Sequence, residues 1–250
     1  MGSYQSMRRV CPLKTLSIHL NGHRLGPFMR AIILSSGGKD SALAAWWAIC
    51  KGWDITCMIT IKVSGDDSWM FQLNGTEVAE LQAKAIGCDW RCITVSGEQE
   101  VEVKQLEYSL SQMQGEYDAL ISGALASEYQ RRRIELMAER LGVISYTPLW
   151  HNDSLQHMRE LVECGIEMML VSVSCEGLDE DFLGRQIDAQ LLARMERLAH
   201  EYRFSIDGEG GEFETIITAG PHMKRKIEIT GTKDWKGSHG NFIIDSAILR

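Results

Sequence analysis

The sequence lacks the features that place a chain in or across a membrane. No run of 18 or more apolar residues occurs, so no transmembrane helix is predicted. Residues 1–28 lack the continuous apolar core of a signal peptide, and we interpret them as an N-terminal extension. Alternatively, residues 15–20 add an edge strand to the sheet described below. From these absences we expect a cytoplasmic protein that does not engage a membrane.

Metal-binding cysteine pairs and a basic surplus are also missing. None of the seven cysteines forms a C-x-x-C pair, and Cys88 and Cys92 are not followed by a second pair, which disfavours structural zinc. We expect most of the cysteines to be small buried residues in a reducing compartment. The formal net charge of −8 disfavours a nucleic acid as the main partner, although short basic clusters occur at 131–133 and 224–226.

One glycine-rich segment stands out after an apolar run at 31–34 and before a helix-like stretch at 42–47. Its glycines let the backbone approach an anion, and the following helix N-terminus favours negative charge. The spacing fits neither a Walker loop nor a dinucleotide fingerprint. We therefore predict binding of a nucleotide through its phosphates. The candidate residues are Ser35, Ser36, Gly37, Gly38, Lys39, Asp40 and Ser41.

Apolar runs alternate with helical periods through the first part of the chain. Strands are predicted at 30–35, 55–62, 90–95 and 118–122, with helices at 40–51, 75–86, 99–113 and 127–141. This order indicates an α/β fold with a doubly wound, mostly parallel sheet. Ligands bind beyond the carboxyl ends of such strands, which adds Ser122 and Gly123 to the candidate nucleotide site.

The pattern changes after about residue 145. A helix at 153–164 ending at Gly165, a strand at 168–174 and a helical stretch at 182–202 precede β-rich segments at 213–218, 225–230 and 241–249. This predicts a C-terminal α+β domain. We divide the chain into an extension at 1–28, a nucleotide-binding domain at 29–145 and a substrate domain at 146–250.

An acidic, glycine-rich segment at 207–215 is the second candidate site. In an extended chain Glu212 and Glu214 would share a face. Such carboxylates bind magnesium, hold an ammonium ion or act as a general base. On composition alone, a solvated acidic turn before a strand is the favoured explanation of this segment.

Two further segments follow predicted strands at the same sheet edge. Ser127 is a suitable N-cap for helix 127–141, and Arg131–Arg133 either forms a solvated face or reaches a phosphate or carboxylate. Residues 67–74 follow the second strand and form either a packing loop or a substrate contact. The candidate substrate-binding residues from these segments and the acidic one are Met70, Phe71, Asn74, Glu128, Tyr129, Arg131, Glu209, Gly210, Gly211 and Glu212.

From residue 29 to 250 the chain resembles the diphthine–ammonia ligase (diphthamide synthase) family of N-type ATP pyrophosphatases. Ser36–Ser41 is similar to the PP-loop of that superfamily. The more specific similarity lies in Asp67-Ser68-Trp69-Met70-Phe71, Ser127-Glu128-Tyr129-Gln130-Arg131, Pro148-Leu149-Trp150, Gly177-Leu178 with Leu183-Gly184, residues 208–215, and Gly220-Pro221 with Lys224-Arg225. Gln72 departs from the family pattern, which usually has His there, so we assign that position no acid–base role.

The resemblance implies an adenine nucleotide alpha-hydrolase-like (HUP) fold and an AMP-forming ammonia ligase. ATP would activate the carboxylate of diphthine on translation elongation factor two, and ammonium would supply the amide nitrogen of diphthamide. Mg²⁺ would be held by Asp40, and the catalytic residues would be Lys39, Asp40, Glu212 and Glu214. A homodimer is one state open to such a chain.

Three alternatives remain at this point. The first is a PP-loop enzyme acting on RNA, disfavoured by the acidic charge and, for a thiolase, by the missing C-x-x-C pair. The second is an adenylating enzyme for another carboxylate, which the sequence separates poorly from the diphthine reaction. The third is a non-catalytic sensor that binds ATP without forming AMP.

Overall fold

The computed structural model describes residues 29–64, 72–98, 100–125 and 127–250, with only the backbone described for 72–77. The first part alternates strands and helices. In chain order these are β1 (Arg30–Leu34), α1 (Lys39–Cys50), β2 (Asp54–Val63), α2 (Gln72–Ile86), β3 (Asp89–Val95), α3 (Val101–Ser111), β4 (Ala119–Ser122), α4 (Glu128–Leu141) and β5 (Ile144–Tyr146).

The five strands form a parallel sheet in the order β3-β2-β1-β4-β5. Alternate residues of β1 pack on opposite faces of it. Ala31 and Ile33 lie in a buried cluster with Leu43 of α1, whereas Ile32 lies in a second cluster with Leu106 of α3. Helices therefore cover both faces, which confirms the predicted α/β, doubly wound fold.

The second part forms a separate antiparallel sheet in the order β7-β6-β9-β8. Its elements are α5 (Ser154–Glu163), β6 (Glu167–Val173), a 3₁₀ turn (Glu180–Phe182), α6 (Ala189–Tyr202), β7 (Phe213–Ala219), β8 (Ile227–Lys236) and β9 (His239–Leu249). α5 ends before Gly165, whose φ of +75° is the left-handed conformation expected of a glycine after a helix.

The helical stretch predicted at 182–202 is wrong in its first part. Gly184 has a φ of +76°, and Gln186 forms a β-bridge with Met169 of β6. Helix α6 begins only after Asp188, whose side chain accepts a 2.7 Å hydrogen bond from the Leu191 N–H. The short strand β5 was not predicted, and β8 extends beyond the predicted segment to Lys236.

Within the described part of the chain, none of the helices has the length and apolar character needed to cross a membrane.

Candidate active site

The loop between β1 and α1 lies at the carboxyl end of the central strand of the parallel sheet; residues 35–41 are called the PP-loop below. Gly37 has a φ of +83°, and its N–H donates to Ser35 Oγ at 3.1 Å. Ser41 Oγ lies 3.1 Å from Ser35 Oγ and donates to the Gly38 carbonyl at 3.0 Å. Both hydroxyls are buried, so these two predicted ATP-binding serines shape the loop from behind.

A buried glutamine fastens the PP-loop to the second sheet. Gln82 of α2 donates through Nε2 to the carbonyls of Gly37 and Ile217, both at 2.9 Å. The Ile217 N–H also donates to the Gly37 carbonyl at 3.2 Å, and the Lys39 N–H donates to Thr215 Oγ1 at 3.3 Å. Strand β7 therefore forms one side of the phosphate loop. Sequence reasoning missed Gln82, which belongs to no motif.

Lys39 and Asp40 form a buried chain of contacts with a histidine. Lys39, only 7% exposed, places Nζ 2.9 Å from Asp40 Oδ2, and Asp40 Oδ1 lies 2.7 Å from Nε2 of the fully buried His157. Burial by itself raises the pKa of Asp40, but the His157 hydrogen bond and the Lys39 charge outweigh it and hold that pKa below its usual value. His157, on α5, was not predicted.

The turn after β4 packs directly on the start of α1. A side chain at Gly123 would lie 2.6 Å from the carbonyl carbon of Asp40, so only glycine permits this approach. Ser122 is buried, and its Oγ accepts from the Ala124 N–H at 3.2 Å. Ser122 and Gly123 thus lie beside the PP-loop, as the sheet-edge argument expected.

Behind the PP-loop is a cavity of about 10 Å³ lined by Ser35, Ser41, Gln82 and His222, among others. His222 is buried, its ring centroid lies 6.5 Å from that of Trp46, and its Nδ1 has no hydrogen-bond partner among the described residues. Burial lowers the pKa of His222 to about 4, so the ring is neutral at pH 7.

The acidic segment 207–215, called the acidic loop below, is built around Asp207, its first residue, to which the sequence assigned no role of its own. Its buried Oδ1 accepts from Ser205 Oγ at 2.6 Å and from the Glu209 N–H at 3.2 Å. Burial tends to raise the pKa of Asp207, but hydrogen bonds from Ser154, Ser205 and the Glu209 N–H bring it below its usual value.

The three glutamates of this loop have different surroundings. Glu212 Oε1 accepts from the Ser205 N–H at 2.9 Å, whereas Glu209 and Glu214 line the cleft in front of the PP-loop. The expectation that Glu212 and Glu214 share a face is therefore wrong. Burial raises the pKa of Glu209, with a smaller contribution from the Asp40 charge, and burial raises the pKa of Glu214. Neither carboxylate forms an ion pair with any residue that the structure describes.

The cleft has a volume of about 800 Å³, which is within the range of small-molecule and cofactor sites. It brings the PP-loop, the start of α4, the acidic loop and the second sheet together. Its lining residues are Ser36, Gly38, Lys39, Asp40, Ser127, Gln130, Val171, Gly208, Glu209, Gly211, Phe213, Glu214, Thr215, Ile216, Asn241, Phe242 and Ile244.

The N-terminus of α4 contributes to the cleft in a different way from that expected. Ser127 caps the helix as predicted, accepting from the Gln130 N–H at 3.3 Å, and these two residues line the cleft. Arg131 instead forms ion pairs with Glu128 and Glu135 and lies over the Trp150 ring at 4.7 Å.

Tyr129 and Gly210, which were also predicted to bind substrate, are not among the residues that line the cleft. The Arg133 guanidinium lies 3.2 Å from the ring centroid of Tyr129. Gly210 belongs to the acidic loop, where a side chain would lie 2.6 Å from Glu212 Oε1. Asn74 is on α2 with only its backbone described, and Met70 and Phe71 are outside the described residues.

Comparison with known proteins identifies the family. Residues 29–145 match the family model described as the diphthamide synthase N-terminal domain, and residues 153–249 match that of the C-terminal domain. The chain belongs to the diphthamide synthase family. The resemblance predicted from the motifs is thereby confirmed.

Curated relatives named diphthine–ammonia ligase agree with this assignment. The chain is 30% identical to the one from Danio rerio over 225 residues, covering 82% of this chain and 88% of the relative. It is 30% identical to the one from Homo sapiens over 226 residues, covering 82% and 84%. The prediction of a ligase enzyme is confirmed. A structure titled as a predicted subunit of a tRNA methyltransferase from Methanocaldococcus jannaschii is 18% identical with a TM-score of 0.42, covering 77% of this chain and 97% of that one.

The residues of the cleft fit a nucleotide better than a protein-held metal. The positive φ of Gly37 and the position of Lys39 in the cleft suit phosphate oxygens. Among the described residues there is no group of three or more His, Cys, Asp or Glu side chains that could hold a metal ion. Asp40 is a single carboxylate, so Mg²⁺ at this site would depend on phosphate oxygens for further ligands.

Proposed function

We propose that this protein is a diphthine–ammonia ligase. It uses ATP to activate the carboxylate of diphthine on translation elongation factor two as an acyl-adenylate, and ammonia then forms the amide of diphthamide, releasing AMP and pyrophosphate. One observation carries the proposal beyond family membership. A single cleft contains a PP-loop with its lysine and two carboxylates without ion pairs in the described chain. That pairing suits a reaction in which ATP activates a carboxylate and ammonia, bound first as ammonium, then displaces AMP from the activated carbon.

In this proposal residues 29–145 form the ATP-binding domain, and residues 146–250 form the domain that binds the other substrates. The division is supported by the two sheets, since each part of the chain builds one of them. ATP would lie with its phosphates at Ser36, Gly38, Lys39 and Asp40, the PP-loop residues that line the cleft.

The first step requires stabilisation of charge at the α-phosphate. Lys39 Nζ and the loop amides would be aimed at the phosphate oxygens before reaction begins, which makes electrostatic stabilisation effective. Asp40, held by His157, would keep Lys39 in place and contribute the protein ligand for Mg²⁺, which lowers the charge on the phosphates. The substrate carboxylate is already ionised at pH 7 and needs no base.

The second step requires an ammonium ion to lose a proton. Glu209 and Glu214 are the carboxylates of the acidic loop that face the cleft, and the raised pKa of each makes it a better proton acceptor. We assign proton acceptance to Glu209, because Asp40 and Lys39 are among the charges that act on it. Glu212, by contrast, would brace the loop through Ser205.

Product analysis tests this function. The protein is incubated with ATP, Mg²⁺, ammonium and diphthine-bearing elongation factor two. We expect AMP, pyrophosphate and a factor whose mass shows replacement of a hydroxyl by an amine. AMP without amidation of the factor would move the reaction to another carboxylate. Bound ATP without AMP would contradict the enzymatic proposal and favour a nucleotide sensor.

A further inference from the structure

The turn at 220–224, directly after β7, is one part of the family resemblance to which the proposed reaction gives no role. Gly220-Pro221 and Lys224-Arg225 belong to that resemblance, and none of these four residues lines the cleft. The turn follows the end of β7 that lies away from the acidic loop, since the strand begins at Phe213 and ends at Ala219. Any effect of the turn on the cleft must therefore pass through the protein.

The turn is held by hydrogen bonds that place a histidine behind the PP-loop. The Met223 N–H donates to the Gly220 carbonyl at 3.0 Å, and the Lys224 N–H donates to the Ala85 carbonyl of α2 at 2.7 Å. A side chain at Gly220 would lie 2.7 Å from Cε1 and 2.9 Å from Nδ1 of His222, so this edge of the ring packs on the glycine. His222 also lines the cavity of about 10 Å³ behind the loop, which is about the size that one water molecule needs.

The serines on the loop side of this cavity have no proton left to donate. Ser41 Oγ donates to the Gly38 carbonyl at 3.0 Å, and Ser35 Oγ donates to Ser41 Oγ at 3.1 Å. Ser35 Oγ also accepts from the Gly37 N–H at 3.1 Å. Each hydroxyl has one proton, so each of them can only accept a further hydrogen bond.

Gln82 is committed in the same way. Its Nε2 donates both protons, to the carbonyls of Gly37 and Ile217, and its Oε1 accepts from none of the described residues. A water molecule in the cavity would therefore donate its two protons to the glutamine and serine oxygens, and its own oxygen would need a donor. The one other polar side chain of the described lining is His222.

The surroundings of the ring indicate which of its nitrogens carries the proton. Nδ1 of His222 lies against Gly220 and has no hydrogen-bond partner among the described residues. A buried lone pair without a partner is tolerated better than a buried N–H without one, so the proton of the neutral ring belongs on Nε2. Nε2–H is then the donor that the water molecule requires.

We propose that His222 is a positioning residue for the PP-loop, acting through one buried water molecule that accepts from its Nε2–H and donates to Gln82 Oε1 and to a loop serine. The groups joined by this water hold both the N–H and the carbonyl of Gly37, whose positive φ shapes the loop. The water thereby keeps the loop amides aimed at the phosphates. This role rests on the proposed function, because it presupposes a PP-loop that binds ATP.

The protonation of the ring tests the first part of the inference. The full chain is labelled with nitrogen-15 histidine, and long-range proton–nitrogen spectra at pH 7 report which ring nitrogen carries the proton. The spectrum of His222→Gln identifies the resonances of His222 by their loss. We expect a proton on Nε2 and none on Nδ1. A neutral ring with its proton on Nδ1 would overturn the inference, because the water would then lack its donor.

Substitutions of the same residue test the second part. His222→Leu keeps a buried side chain but removes the donor, so ATP titrated with Mg²⁺ into the full chain should bind about 5- to 10-fold more weakly. His222→Gln retains an N–H and should bind ATP within about 2-fold of the wild type. Thermal melts at pH 7 show that each variant is folded, and His200→Leu, on the exposed surface of α6, is the control.

Two results of these titrations would overturn the positioning role. One is an unchanged ATP affinity in His222→Leu. The other is an equal loss in His222→Leu and His222→Gln, which would show that the ring acts by its shape alone.

The product assay separates this inference from the proposed function. Weaker ATP binding in His222→Leu but not in His222→Gln, without amide formation by the wild type, would support the positioning role and contradict the ligase function. Amide formation with equal ATP affinity in all three proteins would support the ligase function and remove the positioning role.

Discussion

The cleft has a PP-loop side, formed by residues 35–41, and an acidic side, formed by residues 207–215. The two sides differ in how many of their charged and polar groups already have partners within the protein. On the PP-loop side, Lys39 is paired with Asp40, Asp40 with His157, and the loop carbonyl of Gly37 with Gln82. On the acidic side, Glu209 and Glu214 line the cleft, where the surrounding protein partly desolvates their carboxyls, and neither has an ion pair among the described residues. The first side is held rigidly by its own hydrogen bonds, and the second presents negative charge to the ligand.

Under the proposed function, the PP-loop side supplies affinity for ATP and the acidic side supplies selectivity for the other substrates. Preorganised donors stabilise charge that develops at a phosphate without rearrangement. Burial raises the pKa of the two carboxyls because it disfavours their charged form. Binding a cation or accepting a proton lowers this free-energy cost of a buried negative charge. Changes on the two sides should therefore affect different steps.

The largest effect is expected from removing the lysine of the PP-loop. Lys39→Met deletes a positive charge aimed at the phosphates, so AMP formation should fall by on the order of 10²–10³. The measurement is the rate of AMP release in the complete reaction. Lys104→Met, on the exposed surface of α3, is the matched control. An equal loss in both variants would show that the effect is unrelated to the phosphate side.

The stability of the folded chain should also depend on pH through His222, which lies behind the PP-loop. The folded chain holds His222 neutral with a pKa of about 4, whereas the ordinary value is 6.5. Between these pH values the unfolded chain binds more protons, so stability falls as the pH is lowered from about 6.5 to about 4, by roughly 3 kcal/mol in all.

Denaturant melts at pH 7 and pH 4.5 measure this loss. His222→Gln should reduce the difference between the two pH values, and His200→Gln, an exposed control on α6, should retain it. If the difference persists in His222→Gln, another group is responsible for the acid sensitivity.

On the acidic side, Glu209→Gln should separate the two chemical steps. AMP formation should continue, while amide formation slows by about 10², since an amide cannot accept the ammonium proton. Single-turnover measurements of AMP and amide products distinguish these steps. Glu212→Gln should behave nearly as the wild type, because an amide oxygen still accepts from the Ser205 N–H. The opposite ranking would assign the base to Glu212, one of the two glutamates to which the family resemblance gave a catalytic role.

The smallest effect is expected at the link between the two sides. Gln82→Leu removes two hydrogen bonds to buried carbonyls, so the free energy of unfolding should fall by about 1–3 kcal/mol and ATP should bind several-fold more weakly. Gln190→Leu, exposed on α6, is the control. Denaturant melts and nucleotide titrations provide the two readouts, and unchanged values in both would show that Gln82 does not hold the loop.

The sequence predicted the parallel part of the fold well because apolar runs and glycine turns are local signals. The PP-loop was recognisable from consecutive residues, and Ser127 from its position before a helix. The three-residue strand β5 has too few residues to show a period. At 183–188 the turn at Gly184 lies against Phe242 and the residue pair Gln186–Met169 forms a bridge, and both are contacts with distant strands.

The residues missed at the site share one property: their partners are far away in the chain. His157 contacts Asp40 across 117 residues, and Gln82 contacts Ile217 across 135. A histidine on the buried face of an amphipathic helix has no local signal that separates it from ordinary core packing. Glu212 and Glu214 were placed together by an alternation argument that holds only within a strand, and β7 begins after Glu212.

The contact between β7 and the PP-loop has a consequence for fragments of this protein. The hydrogen bonds that join Ile217 and Thr215 to the PP-loop mean that a piece ending near residue 150 would have an open flank at the proposed ATP site. Two co-expressed pieces would therefore have to reassociate before either held nucleotide firmly. By mass action, ATP should in turn tighten the association of the pieces, so nucleotide concentration would control their reassembly.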